Sequence, residues 1–125
     1  MGGYGGALKQ LSIGVASSFG KAYIHGAGVE YFNGNAVYVN VMKNMSVDCD
    51  CCAVAEDPCM QDIGILVSLD PIAIDQACID LVYAATDDPG QSHLLERIES
   101  RNGVLTIEAA AELGYGSREY ELVEV

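Results

Sequence analysis

The amino-acid sequence predicts a single α/β domain, with a small, mainly parallel or mixed sheet and helices packed on it. Three observations lead to this fold class. The length of 125 residues suits one domain, and no repeat or linker divides it. Half of the residues are hydrophobic, which is enough to bury a core and is not typical of disorder. Segments with strand character are joined to segments with helical periodicity, which is typical of a sheet covered by helices.

Three segments are predicted to be strands. Residues 36–42 (AVYVNVM) alternate, so that their three valines would lie on one face of a strand. Residues 62–68 (DIGILVS) form a continuous apolar run, which favours a strand that is covered on both faces, as in a parallel sheet. Residues 120–125 are predicted to form the last strand.

Four segments are predicted to be helices. Residues 7–13 carry two leucines at helical spacing. A second helix is predicted from residue 71 to about 85, because Asp70 is a good N-cap and Pro71 suits the first helical position. Residues 92 to about 101 and residues 107–113 are predicted as two further helices, followed by the stop signals Asn102-Gly103 and Gly114.

The helix that follows Pro71 is predicted to be largely buried, with one stripe that is either solvated or functional. The polar residues Asp75, Gln76, Asp80 and Tyr83 span about 140° of the helical wheel, and the rest of the helix is apolar. Asp75 and Asp80 lie at the two limits of this stripe, so we do not expect them to form a catalytic pair. Cys78, in the middle of the helix, is expected to belong to the core.

The composition excludes several classes of function. With 18 acidic and 6 basic residues, the chain has a formal net charge of -12 and repels phosphate backbones and anionic lipid heads. We therefore expect no nucleic-acid or membrane-surface binding, and cations, metal ions and basic proteins are the favoured partners. No run approaches the roughly 20 apolar residues of a membrane helix, and the start does not have the pattern of a signal peptide. A cytoplasmic location with reduced thiols is the expectation.

The segment from Asp48 to Cys59 is chemically unusual because it holds four of the five cysteines. An odd number of cysteines, two of them adjacent, does not indicate a disulfide framework. Thiolates bind Zn or Fe, and carboxylates can complete a mixed ligand shell. Cys51 and Cys52 are not expected to share an ion, because neighbouring side chains diverge in an extended backbone. The predicted metal ligands are Cys49, Asp50, Cys51 and Cys59.

Other interpretations of these residues stay open. The cysteines could serve only as small hydrophobic core residues, or one could act as a redox or nucleophilic thiol. The predicted cofactor-binding residues are His25, Asp62, Asp70 and Asp75. Asp70 is also a natural helix cap, Asp75 a natural first-turn acid, and a lone histidine is more often structural.

Four blocks of the sequence resemble the uncharacterised iron–sulfur-centre proteins, the family known as domain of unknown function 362. The first is GGALKQL (residues 5–11) with GVAS (14–17) and His25, and the second is NMSVDCDC (44–51). The most specific block is DIGILVSLDPIAIDQA (62–77), and the last is GYGSREYEL (114–122). The resemblance covers nearly the whole chain and implies a fold rather than a reaction.

Two departures from the family pattern bear on the cofactor. Family members usually begin well before the first block, so the chain resembles their C-terminal part. Many members also carry a ferredoxin-like insert with C-x2-C-x2-C runs, where this chain has only Gly26-Ala27-Gly28. An iron–sulfur cluster is therefore not expected within this chain, although a single Fe or Zn ion is compatible with its thiols.

The residues by themselves do not name a reaction. The leading hypothesis is a metal- or cofactor-binding domain with a redox-associated role that uses the Cys49-Asp50-Cys51 loop. One alternative is a small-molecule enzyme with a catalytic cysteine or aspartate. The other is a non-catalytic remnant that acts through dimerisation or through another protein partner, because a domain lacking its N-terminal part should expose apolar surface.

Overall fold

A computed structural model of the chain describes residues 26–48 and 52–125. In this part of the chain two strands and four helices pack together, which confirms the predicted α/β class. The predicted helix at residues 7–13 lies outside the described residues. The elements are α1 (residues 26–32), β1 (Tyr38–Met42), β2 (Gly64–Ser68), α2 (Pro71–Ala84), α3 (Gln91–Ser100) and α4 (Val104–Glu112).

The direction of the strands differs from the parallel arrangement that was expected. β1 and β2 pair antiparallel, with Asn40 opposite Leu66. The described parts of the connection between them, residues 43–48 and 52–63, contain no helix. A connection without a crossover helix returns the chain to the same end of the sheet, and this produces an antiparallel pair. The apolar run of β2 was misleading, since Ile65 and Val67 are 67% and 65% exposed on the outer face.

Helix α2 is the central element, and its start follows the prediction. The Asp70 side chain accepts hydrogen bonds from the backbone N–H groups of Ile72 and Ala73, at 2.8 and 3.0 Å. Pro71 occupies the first turn, where its missing N–H costs nothing. The helix packs against both strands and against α3 and α4.

The apolar side chains form two clusters, one on each side of α2. The larger cluster fills the space between the inner face of the sheet, α2 and α3. The smaller cluster joins the first turn of α2 to α4 through Ile72, Ile107, Ala109 and Ala110. The buried members of the larger cluster are Met42, Val47, Met60, Ile74, Cys78, Val82 and Leu94.

Two predictions about the C-terminal third need correction. The last helix begins at Val104 rather than after Thr106, since the turn at Asn102 and Gly103 leads directly into it. Residues 119–125 do not form the predicted strand. Gly114 ends α4 as predicted: its φ is +80°, and the N–H of Tyr115 donates to the carbonyl of Ala110 at 3.1 Å.

None of the helices in the described ranges combines the length and the apolar character needed to cross a membrane.

Candidate functional site

The eight predicted site residues divide into two groups. Four of them lie outside the described residues: His25, Cys49, Asp50 and Cys51. The other four are described, and they are Cys59, Asp62, Asp70 and Asp75.

Hydrogen bonds join the two ends of the segment that carries Cys49 to Cys52. We call residues 49–55 the cysteine loop, and Ser46, Asp48 and Glu56 its neck. The Ser46 hydroxyl donates to the carbonyl oxygen of Glu56 at 2.8 Å and accepts from the N–H of Asp48 at 3.3 Å. The N–H of Glu56 donates to the Asp48 carboxylate at 3.2 Å. These bonds fix the two ends of the loop next to each other.

The neck is held against α3 by an ion pair from Arg97 and by a contact from His93. Arg97 Nη2 lies 3.4 Å from Asp48 Oδ1, and His93 Nε2 lies 3.4 Å from Glu56 Oε2. His93 and Arg97 are four residues apart, so they lie on one face of the helix. The Asp48 side chain is only 19% exposed, so water screens its contact with Arg97 less than that of an open surface pair.

Sequence reasoning missed His93 and Arg97 as neighbours of the cysteine loop. The available signal was their spacing on a helix, with Arg97 one of only 6 lysine and arginine residues in the chain. That spacing shows that the two side chains share a face, but it does not show which of the 18 acidic residues they meet.

Cys59 and Asp62 lie where the loop returns to the sheet. Cys59 is half-buried, and its thiol donates to the carbonyl oxygen of Met45 at 3.5 Å. The Asp62 carboxylate accepts from the N–H of Asn44 at 2.9 Å and lies 4.0 Å from Lys43 Nζ. Both side chains therefore bind residues 43–45 and hold the beginning and the end of the β1–β2 connection together.

Asp70 has structural contacts on both carboxylate oxygens. Oδ1 caps α2, and Oδ2 accepts from the N–H of Ser117 at 2.8 Å. Gly116 lies directly against this carboxylate, where a β-carbon would collide with Oδ1. Asp70 thus joins the end of β2, the start of α2 and the C-terminal segment. The structure confirms the cap; a role in cofactor binding stays a prediction.

Asp75 lines a cavity of about 530 Å³ that is bordered by α1, β1, the start of α2 and α4. The cavity wall is mostly apolar, and its polar side chains are those of Tyr38, Asn40, Asp75, Thr106 and Tyr115. Cys78, one turn further along α2, is buried as predicted. Burial raises the pKa of the Cys78 thiol to about 11, and the charge of Asp75 adds to this shift.

The described candidates do not form one site. Cys59 and Asp62 precede β2, whereas Asp70 and Asp75 follow it. Asp62 and Asp70 are eight positions apart on opposite ends of β2, and a fully extended chain spans up to roughly 25 Å over that length. One small ligand cannot touch both groups. Within residues 26–48 and 52–125, no three His, Cys, Asp or Glu side chains are grouped closely enough to hold a metal ion.

Two residues of the polar stripe of α2, Gln76 and Asp80, bind the C-terminal segment, while Asp75, Asp80 and Tyr83 stay exposed as predicted. Arg118 Nε donates to Gln76 Oε1 at 2.8 Å, and the Tyr120 hydroxyl donates to Asp80 Oδ2 at 2.7 Å. The hydrogen bond that the phenol donates to Asp80, together with some burial, raises the pKa of Tyr120 above its usual value. These residues therefore attach the end of the chain to the helix.

Comparison with known proteins gives a family but no characterised relative. Neither a curated protein nor a solved structure matches the chain. The family model described as Domain of unknown function (DUF362) matches residues 1–80, which is more than half of the 125 residues. The chain therefore belongs to the DUF362 family.

Proposed function

We propose that this domain binds a metal ion, or a cofactor that contains one, through the Cys49-Asp50-Cys51 loop. The observation that carries the proposal is the closed neck of the loop, which is bonded within itself and held on α3. Zn and Fe are the ions that suit two thiolates and a carboxylate.

The neck favours metal binding because it lowers the conformational entropy that the loop loses when it becomes ordered around an ion. A flexible loop loses conformational freedom when its ends are brought together. Here Ser46, Asp48 and Glu56 hold the ends together. The entropy of closing the loop is therefore lost when the protein folds and not when the ion binds. The net charge of -12 also attracts cations to the domain.

Cys59 would join the ligand set only after a local change. Its thiol now donates to the carbonyl of Met45 within the half-buried base of the loop. A metal-bound thiolate has no proton to donate, so ligation by Cys59 would break this hydrogen bond. Cys49, Asp50 and Cys51 are therefore the core of the proposed site. Because thiolate ligands must be reduced, the cytoplasm is the compartment that fits this function.

Metal titration of protein purified without oxygen tests this function. We expect the chain to bind Zn²⁺ at one equivalent, and Co²⁺ with the charge-transfer absorption of thiolate ligands. The substitutions Cys49→Ser and Cys51→Ser should abolish this absorption. Cys52→Ser is the matched control and should retain it, because the exposed Cys52 is not in the proposed ligand set.

The neck supplies a second, independent variant. Arg97→Gln removes the contact with Asp48 and should weaken Zn²⁺ binding by about tenfold, as for other groups that orient metal ligands. Arg101→Gln, just beyond the end of α3, is the control and should leave the affinity unchanged. Absence of metal uptake by the folded wild-type protein, or uptake by Cys49→Ser and Cys51→Ser equal to that of the wild type, would exclude the proposed site.

The cavity at Asp75 favours a second candidate function, a small-molecule enzyme with Asp75 as a general base. The observation is a carboxylate at the wall of a mostly apolar cavity of about 530 Å³, a size that suits a small substrate. Asp75→Asn should then abolish the thermal stabilisation produced by a substrate found in a metabolite screen. If no compound stabilises the wild-type protein, this candidate fails.

A further inference from the structure

A groove of about 440 Å³ runs between β2 and the C-terminal segment, residues 119–125. We call it the β2 groove. Its floor is formed by Ala73, Ile74 and Ala77 of α2. Four consecutive residues of β2, from Ile65 to Ser68, line one wall. Since successive side chains of a strand point to opposite faces, a groove lined by all four borders the edge of the strand rather than one face.

The edge of β2 that faces this groove is unpaired in the described part of the chain. β2 pairs with β1 on its other side. The opposite wall carries Tyr120 to Val123 and Val125, but no backbone hydrogen bond joins residues 119–125 to β2. Side chains hold that wall in place instead, above all the hydrogen bond from Tyr120 to Asp80. Along this side of the groove, the N–H and C=O groups of β2 have no backbone partner among the residues that the structure describes.

The sequence of β2 has none of the features that normally protect a free edge. The strand GILVS contains no charged residue and no proline, and its pairing with β1 is regular. A strand placed in the groove would have Ala73 and Ala77 beneath it, whose small side chains leave room for larger ones. Its other face would lie beside the exposed Ile65 and Val67. An occupant that suits these surroundings is extended and apolar on both faces.

Charge distinguishes between the candidate occupants. Glu121 lines the C-terminal wall, Glu119 and Glu124 lie close to it in the chain, and the whole chain has a net charge of -12. A second copy would bring the same negative charge to this acidic wall, which is unfavourable. A segment with lysine or arginine on either side of its apolar centre would be attracted.

We infer that the β2 groove binds an extended apolar segment with basic flanks from another protein, and that this segment pairs with the free edge of β2. Backbone hydrogen bonds would supply affinity, and the acidic wall would supply the preference for basic flanks. The inference does not depend on metal binding, and it is tested on the full chain without added metal.

The probe is a fluorescently labelled peptide, KKVIVTVKK, whose binding is followed by fluorescence anisotropy. We expect saturable binding that weakens as salt is added, together with new protection of β2 amides in hydrogen exchange. Two control peptides separate the contributions. EEVIVTVEE should bind at least about tenfold more weakly because of its charge. KKVIPTVKK should also bind at least about tenfold more weakly, because proline cannot donate to the edge.

Two protein variants locate the site. Val67→Lys places a charge in the groove and should lower the peptide affinity by about tenfold. Val39→Lys is the matched control, because Val39 is the cross-strand partner of Val67 on the same face. The two valines are 59% and 65% exposed, and only Val67 lines the groove. Both variants add the same charge, so a difference between them reports local contact.

Several results would overturn the inference. These are no saturable binding to the folded protein, equal binding of the lysine-flanked and glutamate-flanked peptides, equal binding of the proline peptide, or equal effects of the two variants. A dimer that Val67→Lys, but not Val39→Lys, converts to a monomer would assign the groove to a second copy instead. If Val67→Lys does not fold, the peptide comparisons on the wild-type chain decide the question.

Discussion

Replacement of Asp70 tests how the fold is connected around the start of α2. Asp70→Ala removes the acceptor for the N–H groups of Ile72 and Ala73 and also the acceptor for Ser117. Loss of an N-cap typically costs about 1 to 2 kcal/mol. The exposed hydrogen bond to Ser117 contributes about 1 kcal/mol more. We therefore expect Asp70→Ala to lower the free energy of unfolding by about 2 to 3 kcal/mol.

Asp70→Asn separates the two contributions. Asparagine is nearly as good an N-cap as aspartate, so α2 keeps its first turn. With its amide oxygen at the cap, the side chain presents an NH₂ group to Ser117, and that group cannot accept a hydrogen bond. The expected loss is therefore about 1 kcal/mol, from the C-terminal contact alone.

Urea unfolding followed by circular dichroism measures both variants, and thermal unfolding provides a second reading. For a chain of this size each kcal/mol corresponds to a shift of about 4 °C, so Asp70→Ala should melt roughly 10 °C below wild type. Equal losses for alanine and asparagine would show that the cap contributes nothing. A loss below about 0.5 kcal/mol for alanine is the size of an ordinary surface substitution and would refute the reasoning altogether.

Two further predictions concern a thiol and a glycine. Because burial raises the pKa of Cys78 to about 11, iodoacetamide at pH 8 should label the exposed Cys52 but not Cys78. The stability that comes from keeping Cys78 protonated should be lost as the pH rises from 9 to 11; labelling of Cys78 in the folded protein would contradict this. At Gly90 a β-carbon would collide with the carbonyl oxygen of Cys59, so Gly90→Ala should destabilise the domain by about 2 kcal/mol in urea unfolding. Gly28→Ala, where a β-carbon meets open space within α1, is the control and should be neutral or slightly stabilising; equal effects of the two changes would refute the contact.

Local signals predicted the elements that depend on local physics. Asp70 and Pro71 mark the start of α2, because a cap and the first turn involve only residues that are adjacent in sequence. Gly114 marks the end of α4 for the same reason, since only its own backbone conformation is required. The two strands were also placed correctly to within two residues, from their β-branched and apolar residues.

Signals that depend on distant partners were misleading. The apolar run of β2 suggested a strand covered on both faces, but its outer face is exposed. The segment predicted as a strand at the C-terminus has the right composition, but no backbone hydrogen bond joins it to a neighbouring strand among residues 26–48 and 52–125. The polar stripe of α2 is solvated as predicted at Asp75, Asp80 and Tyr83, but its pattern did not show that Gln76 and Asp80 bind Arg118 and Tyr120. These partners are 40 or more residues apart in sequence, and helical periodicity relates only residues within a few turns of one helix.

The sequence alone determined the α/β class, the capped central helix, the acidic character of the domain and the location of its unusual thiols. These follow from composition and from interactions between near neighbours. Only the tertiary structure decided that the strands are antiparallel and that Asp62 and Asp70 lie at opposite ends of β2. It also decided that the cysteine loop has a closed neck on α3, through Asp48 and Arg97. Such contacts join residues that are distant in sequence. The long connection between the two strands is compatible with more than one path of the chain, so the sequence does not determine which distant residues meet.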